Sequence, residues 1–288
     1  MLDTGRTARP REAVPDTATL VDQAETRRSL RFTVRSLLQY RELLRNLVVK
    51  DLKLKYRGSV LGFLWSLANP LLMLVVYTVA FRYVLKVHSE GFVLCLLVGL
   101  LAWTFFSNTT SMATGAIADN GGLVKTVYFP RAILPIATVL FNFAQYLLNV
   151  AVLLPVMLLL YQMPLAAPML AFPIFVGLQL LFMVGVALWV ATGTAFFRDL
   201  KHLLEVGLAA LFWATPVLYQ IEQVPASLSL PVRLAPLSPF VIAYQRMFFY
   251  REWPEPSVWI LAVTYTVIAL VGGLSLLTRF EERFAELV

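Results

Sequence analysis

Six apolar runs, each close to the length of a membrane-crossing helix, constrain this chain more than any other feature. They are "VLGFLWSLANPLLMLVVYTVAF" (60–81), "FVLCLLVGLLAWTFFSNTTSMA" (92–113), "AILPIATVLFNFAQYLLNVAVLLPVMLLLY" (132–161), "MLAFPIFVGLQLLFMVGVALWVATGTAFF" (169–197), "LLEVGLAALFWATPVLYQI" (203–221) and "SVWILAVTYTVIALVGGLSLL" (257–277). About 20 apolar residues in a helix cover the roughly 30 Å of a bilayer's hydrocarbon. In lipid a single segment can satisfy its backbone polar groups only as a helix. Charged residues make up 14% of the chain against 59% hydrophobic, and the mean hydropathy is +0.74. A soluble domain carries about a quarter charged residues. The expectation is an all-α integral membrane protein with six transmembrane helices.

Six spans place both termini on one side, and the basic residues choose it. The stretch before the first run holds most of the arginines and lysines, from Arg6 to Arg57; Lys125, Arg131, Arg198, Lys201, Arg279 and Arg283 fall on the same side. The other side receives Arg82, Lys86, Arg233, Arg246 and Arg251. The positive-inside rule therefore sets both ends in the cytoplasm of a multi-pass protein of the cytoplasmic, or inner, membrane. The net charge of +7 is read as serving orientation, not nucleic-acid binding.

Residues 1–28 are polar and mixed in charge, without the apolar core of a secretory signal, and read as a disordered cytoplasmic tail. Over 29–58, Leu37, Tyr40, Leu44, Leu47 and Val48 recur at helical spacing, with Arg35, Glu42, Arg45 and Lys53 on other faces. This is an amphipathic helix too charged to span, suited to the membrane interface. Residues 59–288 form the six-span domain. Within it, 222–256 is too apolar for a solvated loop and too rich in proline for one span. Two short re-entrant helices before the last span fit it, as does an interfacial loop on the outer side.

Several chemistries lack their residues. Ion-coupled carriers place ionisable groups inside spans, whereas Arg82 and Glu205 lie at run ends. His88 and His202 fall on opposite sides, and Cys95 stands alone in an apolar run. "GGLVKT" lacks the phosphate-loop pattern because Val124, not glycine, precedes Lys125. No catalytic residue and no metal or cofactor site is expected in this chain. What remains is two cytoplasmic hinges, "DNGGLVKTVYFPR" and "FRDLKHLL" (197–204), each a charged turn with apolar flanks. They suit the docking of a soluble partner, and equally suit plain solvated turns.

At these residues a family resemblance appears. "VVKDLKLKYRGSVLGFLWSLANPLLM" (48–73), "LVKTVYFPRAILP" (123–135), "FRDLKHLLEVGL" (197–208) and the ending "FEERFAELV" (280–288) resemble permease subunits of type-2 ABC exporters of polysaccharides, such as O-antigen, teichoic acid and capsule. The resemblance runs from about residue 30 onward. It implies an interface helix, six spans, a re-entrant pair, and two permease copies assembled with two separate nucleotide-binding subunits. ATP and Mg would be bound by those subunits. The cargo would be a lipid-linked polysaccharide, moved outward through a wall also contacting membrane lipids.

The same resemblance assigns roles along the hinges. Lys125, Tyr128, Phe129 and Arg131 would lie near the ATPase or the point where cargo is loaded. Arg198, Asp199, Lys201 and His202 would form a second contact, and Lys53, Lys55 and Arg57, in the link from the interface helix to the first span, would also lie beside the ATPase. Departures occur at Tyr219-Gln220, where many relatives read Tyr-Pro, and at Ala235-Pro236, where many read Asn-Pro. A sliding glycan needs weak, repeated contacts, which aromatic faces supply. Trp103, Phe106, Trp213 and Tyr219, with Phe249 and Tyr250 near the exit, are candidates for the path, although such residues also form interfacial belts. A permease for a drug or lipid, and a membrane assembly protein without transport, are the alternatives.

Overall fold

A computed structural model describes residues 39–59, 64–84, 86, 92–126, 129–159, 162 and 165–280. Tyr128, the tail 1–28 and residues 281–288 of the carboxy-terminal motif lie outside these. Every regular element among the described residues is a helix. In chain order they are α1 (Arg41–Tyr56), α2 (Leu64–Thr78, continued as a π-helical turn through Val84), α3 (Phe92–Ala113) and the short α4 (Gly121–Thr126). There follow α5 (Ile133–Leu159), α6 (Phe172–Phe196), α7 (Leu200–Ala214), α8 (Ala226–Arg233), α9 (Ser238–Gln245, continued as a π-helical turn through Tyr250) and α10 (Pro256–Phe280).

Four of these elements are long and apolar enough to cross a bilayer: Cys95–Ala113, Ile133–Leu159, Ala167–Phe196 and Pro256–Phe280. A fifth span is reached if α8 and α9 with its π-helical turn, bent by 106° at their junction, count as one broken element. The described residues thus give four or five candidate spans by length and apolarity where the sequence suggested six. Two of the runs fall short for different reasons. The run at 60–81 begins in residues outside the described set. The run at 203–221 stops being helical at Ala214, because Thr215 turns extended (ψ 137°) ahead of Pro216. A proline's ring disfavours the helical region for the residue before it. The 15 residues of α7 reach about 22 Å at the helical rise.

The centre of the molecule is the pair α6 and α10. Small residues let their backbones meet: a Cβ on Gly185 would stand 2.5 Å from the Ala269 carbonyl oxygen, and one on Gly273 2.5 Å from the Gly185 oxygen. Trp189 lies across the same seam and donates from Nε1 to the Ala269 oxygen at 3.1 Å. Close backbone approach over small residues is the usual basis of helix association in lipid, where burial of apolar area gives no drive. Around this seam the core gathers Ala102, Phe175, Met183, Ala187, Val217, Phe240 and Tyr244, all essentially inaccessible. Gln179 is buried among them without cost, donating to the Ala102 oxygen (3.1 Å) and accepting from Tyr244 Oη (2.8 Å).

Candidate functional site: the hinge end and the aromatic run

One end of the bundle collects the residues singled out in the hinges. Ile117, Ala132 and Ile136, around the first hinge, pack with Leu188 and Ala191 of α6 and Leu277 of α10. Thr194 Oγ1 also donates to the Thr114 oxygen at 2.8 Å, tying the end of α6 to the end of α3. Against this end lies α1. Its Leu47 is buried with Val124, Phe129, Ile133, Leu134 and Ala137, and Tyr40, Leu43, Leu44 and Val48 flank the contact. The apolar stripe read from the sequence therefore faces the hinge and the start of α5. Val124, Phe129 and Ile133 of this hinge are buried in that contact, Lys125 and Thr126 are exposed, and Arg131 is partly buried beside the Phe129 ring.

The hinge residues divide accordingly. Phe129 is 2% exposed and the Arg131 guanidinium stands 5.3 Å from its ring centroid. Lys125 is exposed on α4. In the second hinge Arg198, Asp199, Lys201 and His202 are all exposed. His202 Nδ1 lies 3.6 Å from Glu205 Oε2 one turn on, and the Asp199 carbonyl accepts from the His202 nitrogen at the start of α7. On α1, Lys53 is exposed, as is Arg57 just past its end. Lys55 points elsewhere: its Nζ is hydrogen-bonded to Gln145 Oε1 of α5 and stands 5.9 Å from the Phe141 ring centroid. Partial burial pushes the Lys55 pKa down.

The aromatic candidates also divide. Trp103 and Phe106 are buried within the chain, their rings 5.6 Å apart. Trp103 meets Phe212 edge-on at 5.2 Å, and Phe212 meets Trp213 at 5.6 Å. A run of rings thus leads from the core to Trp213, which is 68% exposed. Tyr219 is half-buried and donates to the Trp213 oxygen at 2.9 Å. At the opposite end, Phe249 and Tyr250 pack edge-on at 4.9 Å, and Tyr250 donates to Glu222 Oε2 at 2.9 Å. That glutamate belongs to a cluster centred on Arg246, which reaches Glu222 (2.7 Å), Glu252 (2.8 Å) and Glu255 (3.3 Å). Arg233 joins through Glu255 at 3.2 Å, so the cluster pins the bent α8–α9 pair to the start of α10.

Sequence reading passed over one set of residues. Asn142, Gln145 and Asn149 recur at intervals of three and four in the run at 132–161, so they share one face of α5. With Lys55 and with Asn108 of α3 they line a cleft. The signal was present as three amides at helical spacing inside an apolar run.

Residues 42–249, from the first turn of α1 to the π-helical turn after α9, match the family described as ABC-2 type transporter. The chain belongs to that family. It is 34% identical over 255 residues to the O-antigen export system permease protein RfbA of Myxococcus xanthus, covering 88% of this chain and 98% of that protein. A protein of the same name from Klebsiella pneumoniae is 30% identical over 240 residues, covering 83% and 92%. The polysialic acid transport protein KpsM of Escherichia coli is more distant, 23% identical over 188 residues, covering 62% and 70%. As a member of the ABC-2 family with four or five long apolar helices among its described residues, the chain is a multi-pass membrane protein.

Proposed function

We propose that this chain is the permease of an ATP-driven exporter that moves a lipid-linked polysaccharide of the O-antigen class outward across the inner membrane. The observation that carries this reading is its end-to-end similarity to O-antigen export permeases, 34% identity over 98% of one such protein. Two copies of the chain form the path in this reading, and hydrolysis belongs to a separate nucleotide-binding subunit, which holds ATP and Mg. The protein crosses the membrane six times with both termini in the cytoplasm, α2 and the short α7 supplying the first and fifth crossings. A helix shorter than the hydrocarbon is accommodated by local thinning or by association with a second copy. The apolar faces of both helices support that association, with Val75 and Val76 on α2 and Val206 and Trp213 on α7 more than half exposed.

The ATPase docks on the hinge end. Lys125, Arg198, Asp199, Lys201 and His202 are exposed there, and Lys53 and Arg57, exposed on α1 and just past its end, add to the contact in this reading. Phe129 and Arg131 act from behind, Phe129 anchoring the hinge between α1 and α5, and Tyr128, outside the described residues, is assigned to the same contact. In this arrangement α1 lies at the membrane interface and moves with the hinge when the partner closes on nucleotide. Such coupling requires contacts that differ between two states. The cargo slides past Trp213 and Tyr219 toward Phe249 and Tyr250, with Trp103 and Phe106 supporting that wall from inside the protomer.

The test is affinity purification of the chain from its native membrane, with mass spectrometry of what accompanies it. A stoichiometric soluble ATPase is the expected companion. Its absence under mild detergent and crosslinking would leave the hinges without a partner and end this reading.

A further inference from the structure

The cleft beside Lys55 has a composition that neither docking nor core packing calls for. It lies among the last turn of α1, α2, α3 and α5, and its inner cavity measures about 340 Å³. Asn108, Asn142, Gln145 and Asn149 present amides to it, and Lys55 supplies the charge. An outer, more open cavity of about 490 Å³ shares Lys55, Asn108, Asn142 and Gln145 and reaches Asp51. That carboxylate stands 3.6 Å from the Lys50 ammonium, and none lines the inner cavity. Amides facing lipid would be costly, since each polar group withdrawn from water needs a partner. Four of them converging on one cavity with a lysine amount to a lined site for a polar ligand.

Its depth narrows the ligand. Asn142 Nδ2 donates to Met112 Sδ, next to the end of α3 at Ala113. Asn108 lies five residues before that end, about 8 Å up the helix. Interfacial groups occupy a band about 5–10 Å deep at the boundary of headgroups and acyl chains. Lys55 bonds to Gln145, one turn beyond Asn142 on α5, so with α1 lying at the membrane interface its ammonium falls within reach of the band where lipids carry their phosphates. Lysine suits such a group as a compact point charge, and an anion there would offset the burial that lowers its pKa. Asn108 and Asn149 can both donate to and accept from sugar hydroxyls, whereas Asn142, whose nitrogen is engaged by the Thr138 oxygen and Met112 Sδ, offers its oxygen as an acceptor. Trp65, Tyr77 and Tyr146 add ring faces of the kind that pack on sugar C–H surfaces. The volume falls at the lower end of small-ligand sites, about 300–1,000 Å³.

We propose that this cleft binds the sugar-phosphate end of the lipid-linked cargo as it leaves the cytoplasmic leaflet, Lys55 taking the phosphate and the α3 and α5 amides the first sugar. The inference rests on the export reading above. It moves Lys55 from the ATPase contact, which the resemblance implied, to the cargo. Gln145 positions Lys55 by accepting from its ammonium.

The test is native mass spectrometry of the delipidated full-length chain with three probes: a polyprenyl-diphosphate-linked monosaccharide, phosphatidylglycerol and inorganic diphosphate. The glycolipid is expected to bind most tightly. K55Q should weaken it at least tenfold, K55R should retain it, and N149L, monitored for unchanged size-exclusion behaviour, should weaken it while leaving phosphatidylglycerol unaffected. Equal glycolipid affinity in K55Q and wild type would overturn the proposal. So would equal binding of phosphatidylglycerol, which marks a bulk-lipid groove, or of inorganic diphosphate, which needs neither sugar nor lipid. The same preparations report on the export reading separately. Co-purification of an ATPase without glycolipid binding sinks the cleft alone, whereas glycolipid binding without an ATPase sinks the export reading.

Discussion

The seam between α6 and α10 makes the sharpest prediction about stability. Gly185→Ala adds one methyl group, whose carbon would meet the Ala269 carbonyl oxygen and the Leu270 nitrogen at 2.5 Å. Both are backbone atoms of a packed helix, so no side chain can swing away. Relief requires the helices to part by about 1 Å, a gap that forfeits a quarter to a half of each contact's attraction along the seam. Overpacking of this kind costs about 1–3 kcal/mol. The Trp189 bond to the Ala269 oxygen stretches with it, and hydrogen bonds between membrane helices average about 0.6 kcal/mol. A net loss of about 2 kcal/mol follows, roughly a 30-fold fall in the folded-to-unfolded ratio.

The control is Gly177→Ala on the same helix, where a Cβ would meet nothing within 4 Å. Alanine's higher helix propensity applies equally to both variants and cancels between them. Equilibrium unfolding in SDS, followed by tryptophan fluorescence, should place G185A well below wild type and G177A within about 0.5 kcal/mol of it. Coincident transitions for the two variants would refute the close-packed seam.

Three further perturbations address the two ends and the path. L47D places a carboxylate among Val124, Phe129 and Ile133; an unpaired buried charge costs about 3 kcal/mol or more, and the variant should lose ATPase co-purification, whereas full retention would contradict α1 as the hinge's support. R246M leaves Glu222, Glu252 and Glu255 without their shared cation; SDS unfolding should show a loss of about 1–2 kcal/mol, because these carboxylates are partly solvated, and the R246M/E222Q pair should recover part of it. No recovery would mean the cluster acts by packing. W213A/Y219A removes two proposed path contacts worth about 0.5–1.5 kcal/mol each and should slow export about tenfold with assembly intact; unchanged export would remove these rings from the path.

How far the sequence reached depended on whether a feature was local. The run at 92–113 coincides with α3, and those at 132–161 and 169–197 lie within two residues of helix boundaries at nearly every end, because length and apolarity are properties of one segment. The stripe of Leu44, Leu47 and Val48 was legible for the same reason. What it faces was not: the stripe packs on Val124 and Phe129, some 80 residues away, and periodicity is the same against lipid or protein. The end of α7 at Ala214 was hidden by an apolar run that continues past Pro216 to Ile221. Arg246 read only as an outer-side charge, because Glu222 reaches it through the bend between α8 and α9, and Glu252 and Glu255 through the left-handed turn at Arg251. Among the aromatics, Trp103 and Trp213 read alike in sequence, yet the first is 8% exposed and the second 68%. Which face of a helix meets a neighbour is set by tertiary packing.

The most direct test of the central claim is to delete this chain's gene in its source organism and measure polysaccharide on both sides of the membrane. The account predicts loss of surface glycan together with accumulation of the lipid-linked form inside, both reversed by the wild-type gene. Surface glycan at its normal level, or its loss without any internal accumulation, would contradict an export permease.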